Sequence, residues 1–463
     1  MTEPDALRAE LVVRSTRVHT GVRELPAQLL ITDGVVTGLH GLDAPVIADR
    51  RLDVGDQLVI PGLVDTHCHF RDPGFTHKED LASGTKAAAS GGVTTVFDMP
   101  NTEPPIVDPL RLREHLDDLD RKSVVDFGHN ASAVHPDLVG ELAAAGASAF
   151  KLWMSYDVER TYPHSPATAV TDRAVLYRAF EAVAETGLPL YVHPTDHELY
   201  NLMSSRAKQL WGVDPASYAR SFRLGDSVAF NAAVATLLEF QRSVGTRLHV
   251  LHLSSVEGIR MVRAAKAAGR AVTAEANPFA MFVTNDWDRI ERRGPFVLGQ
   301  WVPPADNVAM WEAIVDGTVD VIGSDHAPHT EEEKLPGWKD MFAAPSGSPM
   351  IADYLRLLLT AVHDGRLTLE RVLELCCLNP ARLVGLSGRK GTLEPGADAD
   401  FVVLDLDHVA PIDGSTSLYK CGWSPADGII TRGRVERTFL RGTEIYRDGR
   451  VLVDEGFGRP VTA

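Results

Sequence analysis

Across the middle of this chain a short apolar, β-branched run is followed by a helix-patterned stretch, again and again. Eight such runs can be read: LVIPGLVDT, VTTVFDM, VVDFGHN, SAFKLWM, LPLYVH, RLHVLHL, AVTAEA and VDVIGSD. Between them lie helical patterns such as PLRLREHLDDLDRK, DRAVLYRAFEAVAETG and SVEGIRMVRAAKAAG. Glycine commonly closes these helices (Gly146, Gly187, Gly269, Gly317), as a left-handed C-terminal cap requires. Eight strands alternating with helices predict an α/β fold, a (β/α)8 TIM barrel, over residues 62–390. A doubly wound sheet is the rival, but it would usually carry a Gly-rich phosphate turn after its first strand, and none follows LVDTHCHF.

The two ends of the chain read differently. ELVVRSTRV and AQLLITDGVVTGL near the start, and ADFVVLDL and RVERTFLRGTEIYRDGRVLV near the end, are short strands punctuated by Gly, Asp and Pro. Residues 1–61 and 391–463 are therefore expected to form one small β-sandwich domain from both termini; two independent small sheets are the alternative.

Barrel enzymes gather their chemistry at the C-terminal ends of the strands. In this chain, those ends carry His67 and His69, Lys151, His193, His252 and Asp325. His67 and His69 are two apart on a strand and so share a face. Lys151 ends a buried run, where a lysine can lose its charge and react with carbon dioxide or bicarbonate to give a carbamate. Together, the six side chains could hold two divalent metals, zinc or similar, with a hydroxide between them. Asp325, in GSDHAPH, could bind one metal and also shuttle a proton from that water. His249 is out of phase with His252 and is expected to face the other way. Residues 196–226 are long enough to help cover the site, and the polar, turn-rich segment 327–349 suggests a mobile active-site loop.

A formal charge of −17 argues against a nucleic-acid partner. No apolar run reaches the ~18 residues of a membrane span, and the start MTEPDALRAE lacks an apolar signal core. Four cysteines without a CxxC pattern suggest reduced thiols. These features predict a cytoplasmic protein with no membrane partner.

The strings PGLVDTHCHFRDPG, DMPNTEPP, FKLWMSY, HLSSVEG and GSDHAPH resemble the amidohydrolase superfamily, and within it the cyclic amidohydrolases: dihydroorotase, hydantoinase (dihydropyrimidinase) and allantoinase. The stretch NPARLVGLSGRKGTLEPGADADFVVLD resembles that group's return into its β-sandwich. The resemblance implies a metal-dependent hydrolase, usually with two zinc ions and a carboxylated Lys151, that opens a cyclic amide or ureide by attack of a metal-bridging hydroxide. It implies that Arg71, Asn101 and His329 contact the substrate, that Tyr156 helps hold the oxyanion, and that the chain forms a homo-dimer or homo-tetramer. The fifth-strand sequence His193-Pro194-Thr195-Asp196 departs from the usual His-Cys-Glu-Asp of dihydroorotases, and Val302 precedes Pro303 and Pro304 where they carry Asn. Two other readings of the same barrel are a single-metal deaminase, which has no bridging lysine, and a non-catalytic hydantoinase-like scaffold, which would have lost ligands.

Overall fold

The computed structural model describes residues 7–157, 165–297 and 300–462; the first six residues of the acidic N-terminal stretch lie outside them. Eight parallel strands form the central barrel. In chain order they are Leu63–Cys68, Val93–Asp98, Asp126–Ser132, Ala149–Trp153, Leu190–His193, Leu248–Val250, Val272–Ala276 and Val321–Ile322. Each is hydrogen-bonded to the next in that order. The last is brought back to the first where Cys68 bridges His326 in parallel and the His69 N–H bonds the His326 carbonyl at 2.7 Å. All six residues of each of the first two strands are buried, as in a sheet covered on both faces.

The termini build a nine-stranded mixed sheet. Its order runs Arg450–Val451, Thr443–Arg447, Ile430–Leu440, Phe401–Pro411, Leu58–Pro61, Leu7–His19, Glu24–Thr32 and Val35–His40, with Val46–Asp53 alongside Leu7–His19. The two chain ends interleave, because Leu58–Pro61 pairs antiparallel with Phe401–Pro411. LVIPGLVDT, read above as one strand, is divided at Gly62, whose N–H bonds the Asp400 carbonyl at 2.8 Å. Leu58–Pro61 stays in the terminal sheet, and Leu63–Cys68 enters the barrel.

Side-chain alternation sorts this sheet between two cores. Val59, Phe401 and Val403 pack with Leu11, Leu29 and Phe439 in the small domain's own interior. Their neighbours Leu58, Ile60, Val402 and Leu404 face the opposite way and join the barrel's core. The sheet is thereby fixed to the barrel by continuous apolar contact. No helix among the described residues is long and apolar enough to cross a membrane.

Candidate metal centre and active site

Register carries the expected ligands into one place. Lys151 is laterally paired with Tyr191, Tyr191 with His249, and His249 with Thr273, so these four share one layer of the barrel. His193 lies two residues beyond Tyr191 and therefore on the same face. Strict alternation would put His249 and His252 on opposite faces, and His249 was expected to point away. The structure corrects that expectation. His252 has φ 47°, a left-handed conformation that breaks the alternation and lets its ring reach the cavity. His249 is buried within the barrel beside Tyr191, bonded to Thr273 Oγ1 at 2.8 Å. Asp325 (φ 46°) and Arg71 (φ 66°) are left-handed as well. Such residues each cost on the order of 1–3 kcal/mol and persist where the surroundings hold them, commonly at functional sites.

His67, His69, Lys151, His193, His252 and Asp325 all line one cavity at the C-terminal end of the barrel. The Asp325 carboxylate is its hub. His67 Nε2 lies 3.3 Å and His69 Nε2 3.5 Å from Oδ1, and His252 Nε2 lies 3.6 Å from Oδ2. The His193 and His252 rings are 4.8 Å apart, edge to face. Lys151 is fully buried; its Nζ lies 4.5 Å from the Trp153 ring centre and has no hydrogen-bond partner among the described residues. Burial pushes its pKa down to about 7, against the pull of Asp325 and Glu275.

The imidazoles are set up as ligands. Burial holds His67 and His69 well below the ordinary histidine value, so both are neutral. His67 Nδ1 donates to Glu275 Oε1 at 2.9 Å, and His69 Nδ1 donates to Asn101 Oδ1 at 2.6 Å. In each ring the Nε2 lone pair is thereby turned toward Asp325. A histidine whose second nitrogen is held by a carboxylate or carbonyl is the usual outer support of a metal ligand. These residues fit a divalent cation pair: imidazole nitrogens, one carboxylate and a buried amine with no hydrogen-bond partner among the described residues converge in one cavity.

Glu275 escaped the sequence reading. The signal was present, since AVTAEA places a single acidic residue inside a buried strand of small side chains. Gly323 makes room for it; a Cβ there would lie 2.4 Å from Glu275 Oε2. Replacing Glu275 with Gln should leave the fold intact while lowering zinc affinity about 10–100-fold, the usual effect of losing such a support. A zinc titration against a competing chelator checks this.

Of the expected substrate contacts, Arg71 and Asn101 line the cavity. Arg71 is buried, its Nε donates to the Pro328 carbonyl at 3.2 Å, and a Cβ on Gly347 would press on its guanidinium at 3.0 Å. His329 does not reach the lining. It is buried beside Lys78 (3.3 Å) and Glu333 (3.4 Å), because the chain turns away after Ala327 into the capped helix Glu331–Lys334. Tyr156 is also off the lining, half-buried and stacked on His197 at 4.2 Å. The segment 327–349 is tethered: buried Lys334 donates to the carbonyls of Pro345 and Gly347, both at 2.8 Å. The insertion after the fifth strand forms helices His197–Trp211 and Pro215–Ser221 and supplies an apolar wall that includes Met203, Tyr218, Phe222 and Leu224.

The amidohydrolase family model matches residues 58–445, most of the chain. The chain belongs to the amidohydrolase family. That family is metal-dependent, in keeping with the ligand set. The amidohydrolase is 35% identical to a dihydroorotase of Halobacterium salinarum over 90% of this chain and 92% of the relative. It is 34% identical to an allantoinase of Streptomyces avermitilis over 96% and 98% of the two chains. Among solved structures it resembles an L-hydantoinase (dihydropyrimidinase) from Arthrobacter aurescens, with TM-score 0.92 and 32% identity, covering 98% of this chain and all of the other.

Proposed function

We propose that this amidohydrolase hydrolyses the ring C–N bond of a small cyclic amide or ureide, giving an open carbamoyl or ureido acid. The reading rests on one observation: three imidazole Nε2 atoms converge on Asp325 next to a buried lysine amine that has no hydrogen bond among the described residues. It is supported by relatives named for opening dihydroorotate, allantoin and hydantoins. Two divalent cations would be held by His67, His69, His193, His252, Asp325 and Lys151 as its carbamate. When bound, they supply Lewis acidity and a water activated at neutral pH. Lys151 in the ligand set speaks against the single-metal deaminase reading.

The protein's own groups do the rest. Asp325 accepts the proton of the attacking water at a carboxylate oxygen and returns it to the departing ring nitrogen. Arg71, whose guanidinium can offer two parallel donors, holds the polar edge of the ring. The wall of Met203, Tyr218, Phe222 and Leu224 excludes water and receives the ring substituent. Tyr156 would have to leave His197 to reach an oxyanion, so its part is that of a closing donor.

An assay panel of hydantoin, 5-benzylhydantoin, dihydrouracil, allantoin and dihydroorotate tests this. Ring opening is expected, with kcat/KM for 5-benzylhydantoin exceeding that for hydantoin by about 10-fold or more, the order set by burying an aromatic group at ~25 cal/mol per Å². Zinc-loaded protein that opens none of the five, or that releases ammonia from an exocyclic amine, overturns the proposal.

A further inference from the structure

Outside the cavity, on the other face of the barrel sheet, three metal-ligating side chains meet in a dry place. Asp98 ends the second barrel strand, and His129 on the third strand is its direct register partner, so both project on the same side. They point outward, toward the helix Pro109–Lys122, which contributes His115. Relative exposures are 0%, 0% and 2% for Asp98, His129 and His115. One nitrogen or oxygen from each lies within 4.8 Å of the others. The His115 and His129 ring centres are 4.5 Å apart.

The polar groups here are not otherwise accounted for. Asp98 Oδ1 accepts the Phe70 N–H at 2.9 Å. Asp98 Oδ2, both nitrogens of His115 and both nitrogens of His129 have no hydrogen-bond partner among the described residues. His115 Nε2 and Asp98 Oδ2 are 3.1 Å apart, but they are not aligned for a hydrogen bond. A buried polar atom left unsatisfied costs about 1–3 kcal/mol, and five in one cluster are rare in native proteins. Two ligand atoms around a tetrahedral zinc, each about 2.0–2.1 Å from it, stand about 3.3 Å apart, close to the separation seen here.

We propose that Asp98, His115 and His129 bind a structural divalent cation, zinc by its mixed nitrogen–oxygen donors, that ties the helix Pro109–Lys122 to the barrel. Two imidazoles and one carboxylate supply three ligands; the fourth position falls to a water or is left open. Asp98, His115 and His129 are not among the residues that line the catalytic cavity. Its neighbours Leu112, Leu119 and Phe127 are apolar and buried, so the bound ion would exchange slowly.

Two measurements decide it, with zinc itself as the probe. First, wild-type protein and His115→Leu, both zinc-loaded and desalted, are compared by elemental analysis. His115→Leu is expected to carry about one zinc per chain less, whatever the catalytic cavity holds. Second, anomalous scattering at the zinc edge from zinc-loaded wild-type crystals is expected to show a peak between the three side chains. Equal zinc content in the two proteins overturns the proposal, and so does an ordered water or no peak in the wild-type crystals. If His115→Leu does not fold, the wild-type crystals decide alone. The outcome is independent of the ring-opening panel, because it depends on a difference in metal content and a peak position, not on turnover.

Discussion

Lys151→Ala is expected to lower ring opening at least about 10³-fold, because the several kcal/mol supplied by a metal-assisted site disappear with its central ligand. The argument starts from burial. A fully buried lysine amine with no hydrogen-bond partner among the described residues is an expensive group. As an ammonium it would also repel any cation held by the neighbouring histidines. Its pKa, pushed down to about 7, leaves much of it as a neutral amine in ordinary buffers. That amine can add carbon dioxide, forming an N–C bond and releasing a proton, and so turns from a poor partner for cations into an anionic two-oxygen ligand. The direction with pH follows. The reactive amine is the deprotonated form, so zinc uptake by metal-free protein in bicarbonate should rise as pH climbs through about 7 and fall below it. Carbon-13 bicarbonate should yield a carbamate resonance in the wild type that is missing from Lys151→Ala. A short carboxylic acid, fitting the space vacated, should restore part of the variant's zinc content and turnover. Normal turnover by Lys151→Ala without added acid would sink the carbamate assignment.

How much of this was legible beforehand depended on whether local pattern or long-range geometry set each position. Strand ends are local features, and the ends that carry His67, His69, Lys151, His193, His252 and Asp325 could be read from β-branched runs followed by an ionisable residue. The structure brings all six to one cavity. Period-two reasoning then failed at His249, because a single residue with φ 47° at His252 shifts the phase, and nothing in LHVLHLSS announces that turn. Glu275, fourth of the five residues of Val272–Ala276, is nearer its strand end than Lys151 is in Ala149–Trp153; what hid it is its role, since it holds His67 across 208 residues, a separation that no local pattern spans. Asn101 lines the cavity, and its amide oxygen also takes the His69 N–H, a pairing across 32 residues that no spacing rule reveals. His329 follows Asp325 by four residues, yet its side chain packs against Lys78, which the sequence places far upstream. The mobility expected of 327–349 came from its composition, whereas its tether depends on one lysine folding back onto carbonyls 11 and 13 residues later.

The joint between the two domains carries the largest stability effect. Lys390→Met is expected to destabilise the protein by about 3–5 kcal/mol, the cost of removing one partner from a buried ion pair. Lys390 is buried, and its Nζ lies 2.5 Å from Asp126 Oδ2, 2.6 Å from Asp400 Oδ2 and 2.9 Å from Asp398 Oδ2. Asp126 opens the third barrel strand, while Asp398 and Asp400 lead into the terminal-sheet strand Phe401–Pro411. Arg441, from the terminal sheet, also pairs with Asp126. One ammonium therefore holds carboxylates from both domains, and methionine in its place leaves Asp126 and Asp400 buried with Arg441 as their remaining cation. Burial pulls the Lys390 pKa down, but the carboxylates beside it outweigh that and hold it above the ordinary lysine value of 10.5; while those carboxylates are ionised, its contribution is therefore present below that value and is lost as pH rises past it. The variant should behave oppositely toward acid. Its uncompensated carboxylates gain stability on protonation, so the deficit against wild type should be greatest at neutral pH and should narrow as pH falls. Urea unfolding of the two proteins at pH 7 and pH 5 measures both effects. Lys390→Met/Asp400→Asn should recover part of the loss by removing one stranded charge, and the folded fraction of either variant should keep its ring-opening kcat, since Lys390 does not line the cavity. A deficit under about 1 kcal/mol at pH 7, the range of an exposed pair, would mean that water or a rearranged Arg441 replaces the lysine and that the apolar faces alone hold the domains together.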